Sequence, residues 1–419
     1  MKESIVPRRF FLKSVAASFA GLSGYGSPLF NPGEPLRFTV QAGVALRQLN
    51  SSYCWFHPRA AAIPSDRPGQ LPSVIMTIQK HLNVSDYYSG LYYMHTGDMG
   101  KTWSGPHEIP ELKMYTDSEG YNISVADVTP GWHAPTRKLL AIGIKVRYGK
   151  DGRQILDTPL SHNCAYATFD PATGKWAAWK TLPPLPDGTS KFYLVNPGCV
   201  QWLVKADGTI LLPVYFSGKA GDDNAVTVLH CKFDGEHLSY IHHGSELVRQ
   251  GGRGYVEPSL AFWNNRYYLT LRNDFGAYIS TSADAATWSS PRPWTFDDGQ
   301  DLGSYNTQAH WLVHREGLFL CYTRRGANND HIPRNRAPIF IGQVDPERLC
   351  VMRATEQVLI PERGAMLGNF GAAFITENES WVTDAEFMIG EQPGPRGADG
   401  SVWVSRVCWS KSNARMIPG

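Results

Sequence analysis

Arg59-Ala60-Ala61-Ala62-Ile63, followed by Val74-Ile75-Met76-Thr77-Ile78, pairs a short strand of small residues with a strongly apolar one. The same pair returns as Ile123 to Val128 with Leu139 to Val146, as Cys199 to Val204 with Ile210 to Tyr215, and as Pro258 to Trp263 with Tyr267 to Leu271. Ala309 to Val313 with Leu318 to Tyr322, and Gly371 to Ile375 with Ser380 to Ala385, complete the series. Recurrence at intervals of about fifty to seventy residues signals one supersecondary unit copied along the chain. Most copies add two further strands, such as Leu91 to His95 in the first and Ala225 to Lys232 in the third. Four-stranded units that are apolar on both faces bury those faces by stacking radially about an axis, leaving only short edges. The predicted fold class is therefore all-β, a six-bladed β-propeller. A strand at Leu36 to Val44 is expected to pair with the last blade and close the ring. A pair of β-sandwiches is the alternative arrangement of the same strands.

Composition agrees with a well-packed globular chain. The 419 residues carry 40 Lys+Arg against 38 Asp+Glu, a net charge of +2, with 42% hydrophobic and 12% aromatic residues, too apolar for a disordered chain. A near-neutral balance with no basic block argues against nucleic-acid binding, which needs a cationic stripe to displace phosphate counterions. The seven Cys, at 54, 164, 199, 231, 321, 350 and 408, form no CxxC or close pair, so neither a zinc module nor a disulfide framework is expected. They read as buried free thiols, and no metal or organic cofactor is implied.

Arg8-Arg9-Phe10-Phe11-Leu12-Lys13 precedes a weakly apolar Ser14 to Leu22, and then Ser, Gly and Pro. This resembles a twin-arginine export signal, departing from it at Pro7, and its apolar part is too short to span a bilayer. The alternative is a basic start to a cytoplasmic protein. Residues 1–30 are thus expected to be the signal, and 31–419 one propeller domain, exported to the periplasm or beyond as a monomer. No later run of 18 apolar residues suggests a membrane span.

Thr96-Gly97-Asp98-Met99-Gly100-Lys101-Thr102-Trp103 has the pattern S/T-x-D-x-G-x-T-W. A turn between third and fourth strands wants Gly for a positive φ, Asp to accept from nearby backbone amides, and Trp to anchor the hairpin. Ser282-Ala283-Asp284 with Thr287-Trp288 is a shortened copy, and Asp170, Gly174 and Trp176 a degenerate one. The motif resembles the Asp-box of sialidases and related propellers, where it is a structural element on the face away from the substrate.

In a propeller, side chains reach the axial pocket from first-strand starts and second-strand ends. Those positions carry Arg59, Asp127, Asn196, Glu257, Asn306, Gln308 and Asn369, and then His81, Asp86, Tyr87, Arg147, His162, Tyr215, Arg272, Asp384 and Glu386. The loop Thr323 to Pro338 adds Arg324, Arg325, His331, Arg334 and Arg336. Such convergence suits a polar, acidic ligand.

The resemblance to sialidases extends to four of these residues. Arg59 is similar to the first-blade arginine, with alanines stretching the motif. Glu257 in Glu257-Pro-Ser-Leu-Ala and Arg272 in Leu271-Arg272-Asn273 resemble the blade-four glutamate and second arginine, and Asp86 is placed like the general acid. The family grips the sugar carboxylate with three arginines and uses a tyrosine nucleophile activated by the glutamate. Two parts differ, because Tyr305-Asn306-Thr307-Gln308 and Gly368-Asn369-Phe370-Gly371 occupy the third-arginine and tyrosine positions. Arg334 or Arg336 could replace the arginine, and Tyr305 the tyrosine. Arg147, Gln308 and His331 are further substrate-binding candidates, whereas His133 reads as a turn residue.

The resemblance implies an exported glycoside hydrolase that removes a terminal acidic or polar sugar from a glycan. Asp86 would protonate the leaving oxygen and Glu257 would act as base, on water or through Tyr305, while Arg59 and Arg272 hold the anionic group. A uronic-acid lyase using His81, His162, His331 or Tyr305 to take a proton, and a non-catalytic carbohydrate-binding propeller, remain alternatives. Arg59, Arg272 and Glu257 could also be plain ion-pair partners in a wet channel.

Overall fold

The computed structural model describes residues 35–414 apart from 68, 156–162 and 187–190; residues 1–30 and His162 lie outside them. The described chain is six separate antiparallel sheets in sequence order, the six-bladed propeller predicted from the repeat. Blade one comprises Tyr53–Ile63, Ser73–Leu82, Tyr88–Thr96 and Ser104–Glu108. Blade two is built on Asn122–His133, Lys138–Tyr148 and Asn163–Asp170, blade three on Ile210–Ser217, Ala225–Phe233 and Leu238–His243, and blade four on Val256–Trp263, Arg266–Arg272 and Ala277–Ser282. Blade five holds His310–His314, Gly317–Tyr322 and Ile339–Asp345. Blade six takes Gly371–Thr376, Glu379–Ala385 and Ser401–Trp409, and its outer strand is Phe38–Arg47 from the start of the described chain. Phe38 pairs with Trp409 and Arg47 with Ser401, so the ring closes by hydrogen bonds between the two ends of the propeller.

Apolar side chains from adjacent blades share each interface. Ile142 and Tyr166 of blade two pack with Leu212 and Leu229 of blade three. Val74 and Met76 of blade one meet Trp381 and Val404 of blade six, and Phe319 and Ile341 of blade five meet Val382 and Trp403. Full burial of each large apolar side chain is worth about 1.5–3 kcal/mol, which is why the second strands read as continuous apolar runs. Six of the seven unpaired cysteines are buried, and Cys408 is half-buried.

The inner strand of blade three differs from the expected Cys199 to Val204. It is split into Leu194–Asn196 and Leu203–Val204, which pair with opposite ends of Ile210–Ser217. Between them Pro197 supplies no backbone donor and Cys199 takes φ 59°, so the ladder cannot continue. Among the described residues no helix is long and apolar enough to cross a membrane.

The Asp-box turns form as local hydrogen-bonded units. Asp98 Oδ1 accepts from Thr96 Oγ1 at 2.8 Å and from the Thr102 amide at 2.9 Å, while Oδ2 accepts from Thr102 Oγ1 at 2.6 Å. Gly100 is needed twice: its φ is +77°, and a Cβ there would lie 3.3 Å from the Trp381 ring. Trp103 packs near Trp381 of blade six, 6.0 Å between ring centroids, so the box ties its blade to the neighbour. Asp284 repeats the arrangement with Ser282 and the amides of Ala286 and Thr287.

Candidate active site

Blades one to five each carry one left-handed residue within or beside the inner strand. These are His57 (φ 52°), Asp127 (φ 56°), Cys199 (φ 59°), Glu257 (φ 47°) and Asn306 (φ 48°). In blades one, two and four the ladder slips at that point, between Phe56 and Arg59, Ala126 and Thr129, and Val256 and Ser259. Such bulges re-aim one side chain out of the strand's alternation, and left-handed non-glycine residues concentrate where function requires them.

The five residues belong to one polar assembly. His57 Nε2 lies 3.1 Å from Asp127 Oδ1. Glu257 Oε1 accepts from Arg272 Nη1 at 2.5 Å, and Arg272 Nη2 donates to Asn306 Oδ1 at 2.6 Å. Arg336 donates to the Asn306 carbonyl at 2.6 Å and to Thr307 Oγ1 at 2.8 Å. On the rim, Arg253 forks onto Asp274 with bonds of 2.9 and 2.6 Å. Asp384 of blade six accepts from the amides of Gly368 and Ala385 at 2.7 and 2.8 Å. Asp86 is also left-handed, accepts from Tyr88 Oη at 3.1 Å, and has its amide 3.3 Å from His81 Nε2.

Burial and charge drive the acids apart. Burial works against ionisation of Glu257, but Arg272, with Arg336 and Arg253 beyond it, holds its carboxyl below the usual range. Asp127 is pushed up to about 7 by burial, against the pull of Arg59 and with added repulsion from Glu257 and Asp86. Asp384 also rises to about 7 through burial, despite its two amide donors and nearby Arg59 and Arg336. His57 is driven well below its ordinary value by burial and then by Arg59, so it is neutral. Arg336 falls to about 9 through burial and the proximity of Arg272. Environments that separate like groups in this way are typical of acid–base sites.

The other sequence candidates are distributed differently. Arg59 is only 2% exposed; it donates weakly to the Val128 carbonyl at 3.4 Å and lines an axial cavity of about 190 Å³ that continues between Trp132, Trp202 and Trp311. Gln308 is buried and donates to the Phe370 carbonyl. Tyr305 Oη donates to Asn335 Oδ1 at 2.8 Å, and Arg325 covers its ring. Arg334 sits within electrostatic reach of Arg336 and Asp274. Arg147 is engaged by Asp117 and Glu119 and stacks on Tyr121, His331 pairs with Glu362, and Arg324 with Glu356. Glu386 accepts from the amides of Asp399 and Ser401. His133, expected in a turn, ends the strand Asn122–His133, where it bonds Thr136 in the turn that follows and the Gly208 carbonyl of blade three.

Sequence reasoning named Asp127 and Asp384 without giving them a role, and it missed His57 and the placement of Cys199. A signal existed. His57-Pro58 and Glu257-Pro258 stand at the same slipped position of their strands, and Asn196-Pro197 breaks the third. The repeated X-Pro step marks where inner strands turn side chains toward the assembly.

The fold and its Asp-box turns define a sialidase-like propeller. A crystal structure of a Dyadobacter fermentans protein of unknown function aligns over 88% of this chain and 99% of its own, at TM-score 0.61 and 14% identity. The Trypanosoma rangeli sialidase aligns over 90% of this chain at TM-score 0.56 and 13% identity, and this chain spans 60% of that protein. The NanB sialidase of Streptococcus pneumoniae gives TM-score 0.58 at 11% identity, covering 88% of this chain and 70% of its own. No family model and no curated protein sequence matches the chain.

Proposed function

We propose that this protein is an exported glycoside hydrolase that removes a terminal acidic or polar sugar from a glycan. The observation that carries the reading is the Glu257–Arg272–Asn306–Arg336 chain, which couples an ionised carboxylate to two guanidinium groups beside the acids Asp86 and Asp127. Arg272 and Arg336 offer forked donors to a sugar carboxylate, with Arg334 nearby and Arg59 beneath. Arg336 thus takes the part of the arginine that Tyr305-Asn306-Thr307-Gln308 lacks.

Glu257, kept ionised by Arg272, acts as the base that activates water, or Tyr305, on one side of the anomeric carbon. Asp86 donates a proton to the leaving oxygen on the other. Arg272 and Arg59 stabilise charge as the glycosidic bond breaks. Gln308 belongs to the floor of the pocket in this reading, and Arg147 and His331, already paired with carboxylates, to its outer rim.

The test is a panel of acidic glycans and terminal-sugar glycosides, scored for released reducing sugar and for ultraviolet absorbance. Release without absorbance, lost in Glu257→Gln, is the expected result. Growing absorbance would mark a lyase; silence across the panel would point to a binding protein.

A further inference from the structure

We propose that His57, Asp127 and Cys199 form the three protein ligands of a site for one borderline divalent cation of the zinc and cobalt class. Their donor atoms, an imidazole nitrogen, a carboxylate oxygen and a thiol sulfur, all lie within 4.8 Å of one another. His57 Nε2 and Asp127 Oδ1 are already 3.1 Å apart. A tetrahedral ion with bonds of about 2.0–2.3 Å separates its ligand atoms by roughly 3.3–3.8 Å, so shifts of about an ångström complete the shell.

The set is built by the fold. The three residues are 127 − 57 = 70 and 199 − 127 = 72 positions apart, one blade each, and all three are left-handed. The Cys199 amide donates to the Asp127 carbonyl at 3.2 Å, which fixes the two backbones together. Gly198 makes room for this approach, because a Cβ there would lie 2.9 Å from both Cβ and Oδ2 of Asp127. Arg59 lies against the Cys199 thiol, and Asn369 lies against His57. Ligand-orienting neighbours of this sort accompany real metal sites. Glu257 offsets the charge of Arg272. With its side chain 20% exposed, Asp127 gives the ion a way in and leaves an open position toward the pocket.

Sulfur and nitrogen donors select zinc or cobalt over magnesium or calcium. Binding forms the metal–sulfur, metal–nitrogen and metal–oxygen bonds and releases to solvent the thiol proton and any proton held between His57 and Asp127. No electron transfer is involved. The site does not depend on the glycosidase reading, since the ion binds whether or not a sugar is cleaved.

The full chain, stripped with chelator, is titrated with cobalt(II) chloride and followed by absorption. One equivalent should bind with tetrahedral visible bands and a near-ultraviolet thiolate-to-cobalt band, displaced by zinc and not by magnesium or calcium. Cys199→Ser should abolish the thiolate band and weaken binding at least about tenfold, and His57→Gln should weaken it similarly while leaving the thiol in place. Absence of stoichiometric binding by the folded wild type, or a thiolate band that survives Cys199→Ser, would overturn the assignment. Should Cys199→Ser fail to fold by circular dichroism, undiminished binding by His57→Gln overturns it equally. Glu257→Gln, expected to bind cobalt normally while losing hydrolysis, separates this proposal from the catalytic one.

Discussion

Asp98 and Asp284 on the Asp-box face, and Asp384 at the opposite mouth, are one residue type held in opposite ways. The Asp-box carboxylates fall to about 2: Asp98 through the Thr102 hydroxyl and amide, Asp284 through the amides of Thr287 and Ala286. Asp384 also receives two amide donors, yet burial lifts it to about 7. Donor count is therefore not what decides. A carboxylate open to water keeps the full benefit of its donors, whereas one taken into the pocket loses more hydration than two amides return. One face of the propeller stabilises charge locally, and the other holds charge under tension.

Removing charge at the mouth should affect chemistry far more than fold. Glu257→Gln keeps the side-chain shape and still accepts from Arg272, so the barrel of blades should remain intact by circular dichroism. Activity on the substrate found by the panel should fall at least about a hundredfold, the scale of losing one group that acts in the transition state. Arg272→Ala should be comparably inactive. It also strands Glu257 without its nearest guanidinium, so a fall in thermal midpoint is expected as well. Wild-type turnover by either variant would break the contrast between the two faces.

The same contrast explains what could be read in advance. The six repeats and the Asp-boxes are local patterns, and each was legible because its stabilising partners lie within a few residues. Thr96, Asp98 and Thr102 complete one another in a single turn. Glu257 and Arg272 were legible because they are joined by one hairpin. The mouth otherwise draws on residues a blade apart, and their meeting depends on the bulges in the inner strands of blades one, two and four and on the break in that of blade three. His57 and Cys199 looked like ordinary strand residues for that reason. The short range of the cysteine-spacing rule likewise excluded a metal module without testing a set spread over three blades. Tyr305 was named from the start of blade five and Arg336 from the loop Thr323 to Pro338, but only the fold distinguishes Arg336, bonded to the Asn306 carbonyl, from Tyr305, bonded to Asn335.

Burial of Asp384 also makes the stability of the fold depend on pH. Asp384 has a folded pKa of about 7 against an ordinary 3.8, so the folded state holds this proton more tightly than the unfolded one. Its contribution is fully present below about pH 4 and is lost as pH rises toward about 7. Asp384→Asn cannot ionise and should flatten that decline, although the amide satisfies only one of the two backbone donors and lowers stability overall. Urea unfolding of both proteins at several values between about pH 4.5 and 7.5 measures the difference. Parallel curves would show that Asp384 is ionised in the folded protein and that the tension lies elsewhere.

The smallest effect is expected on the Asp-box face, and its sign is reversed. Asp98 has a lowered folded pKa of about 2, so it contributes stability above about pH 4 and loses it as pH falls toward about 2. Asp98→Ala removes the acceptor for Thr96, the Thr102 amide and the Thr102 hydroxyl, and loosens the turn that sets Trp103 near Trp381. The thermal midpoint should drop by roughly a few degrees at neutral pH, and that gap from wild type should narrow in acid. Cobalt binding and turnover should be unchanged, because the turn between third and fourth strands lies at the end of the blade away from the mouth. If Asp98→Ala altered either, the two faces would be coupled through the blade, and the separation of a structural face from a reactive one would fail.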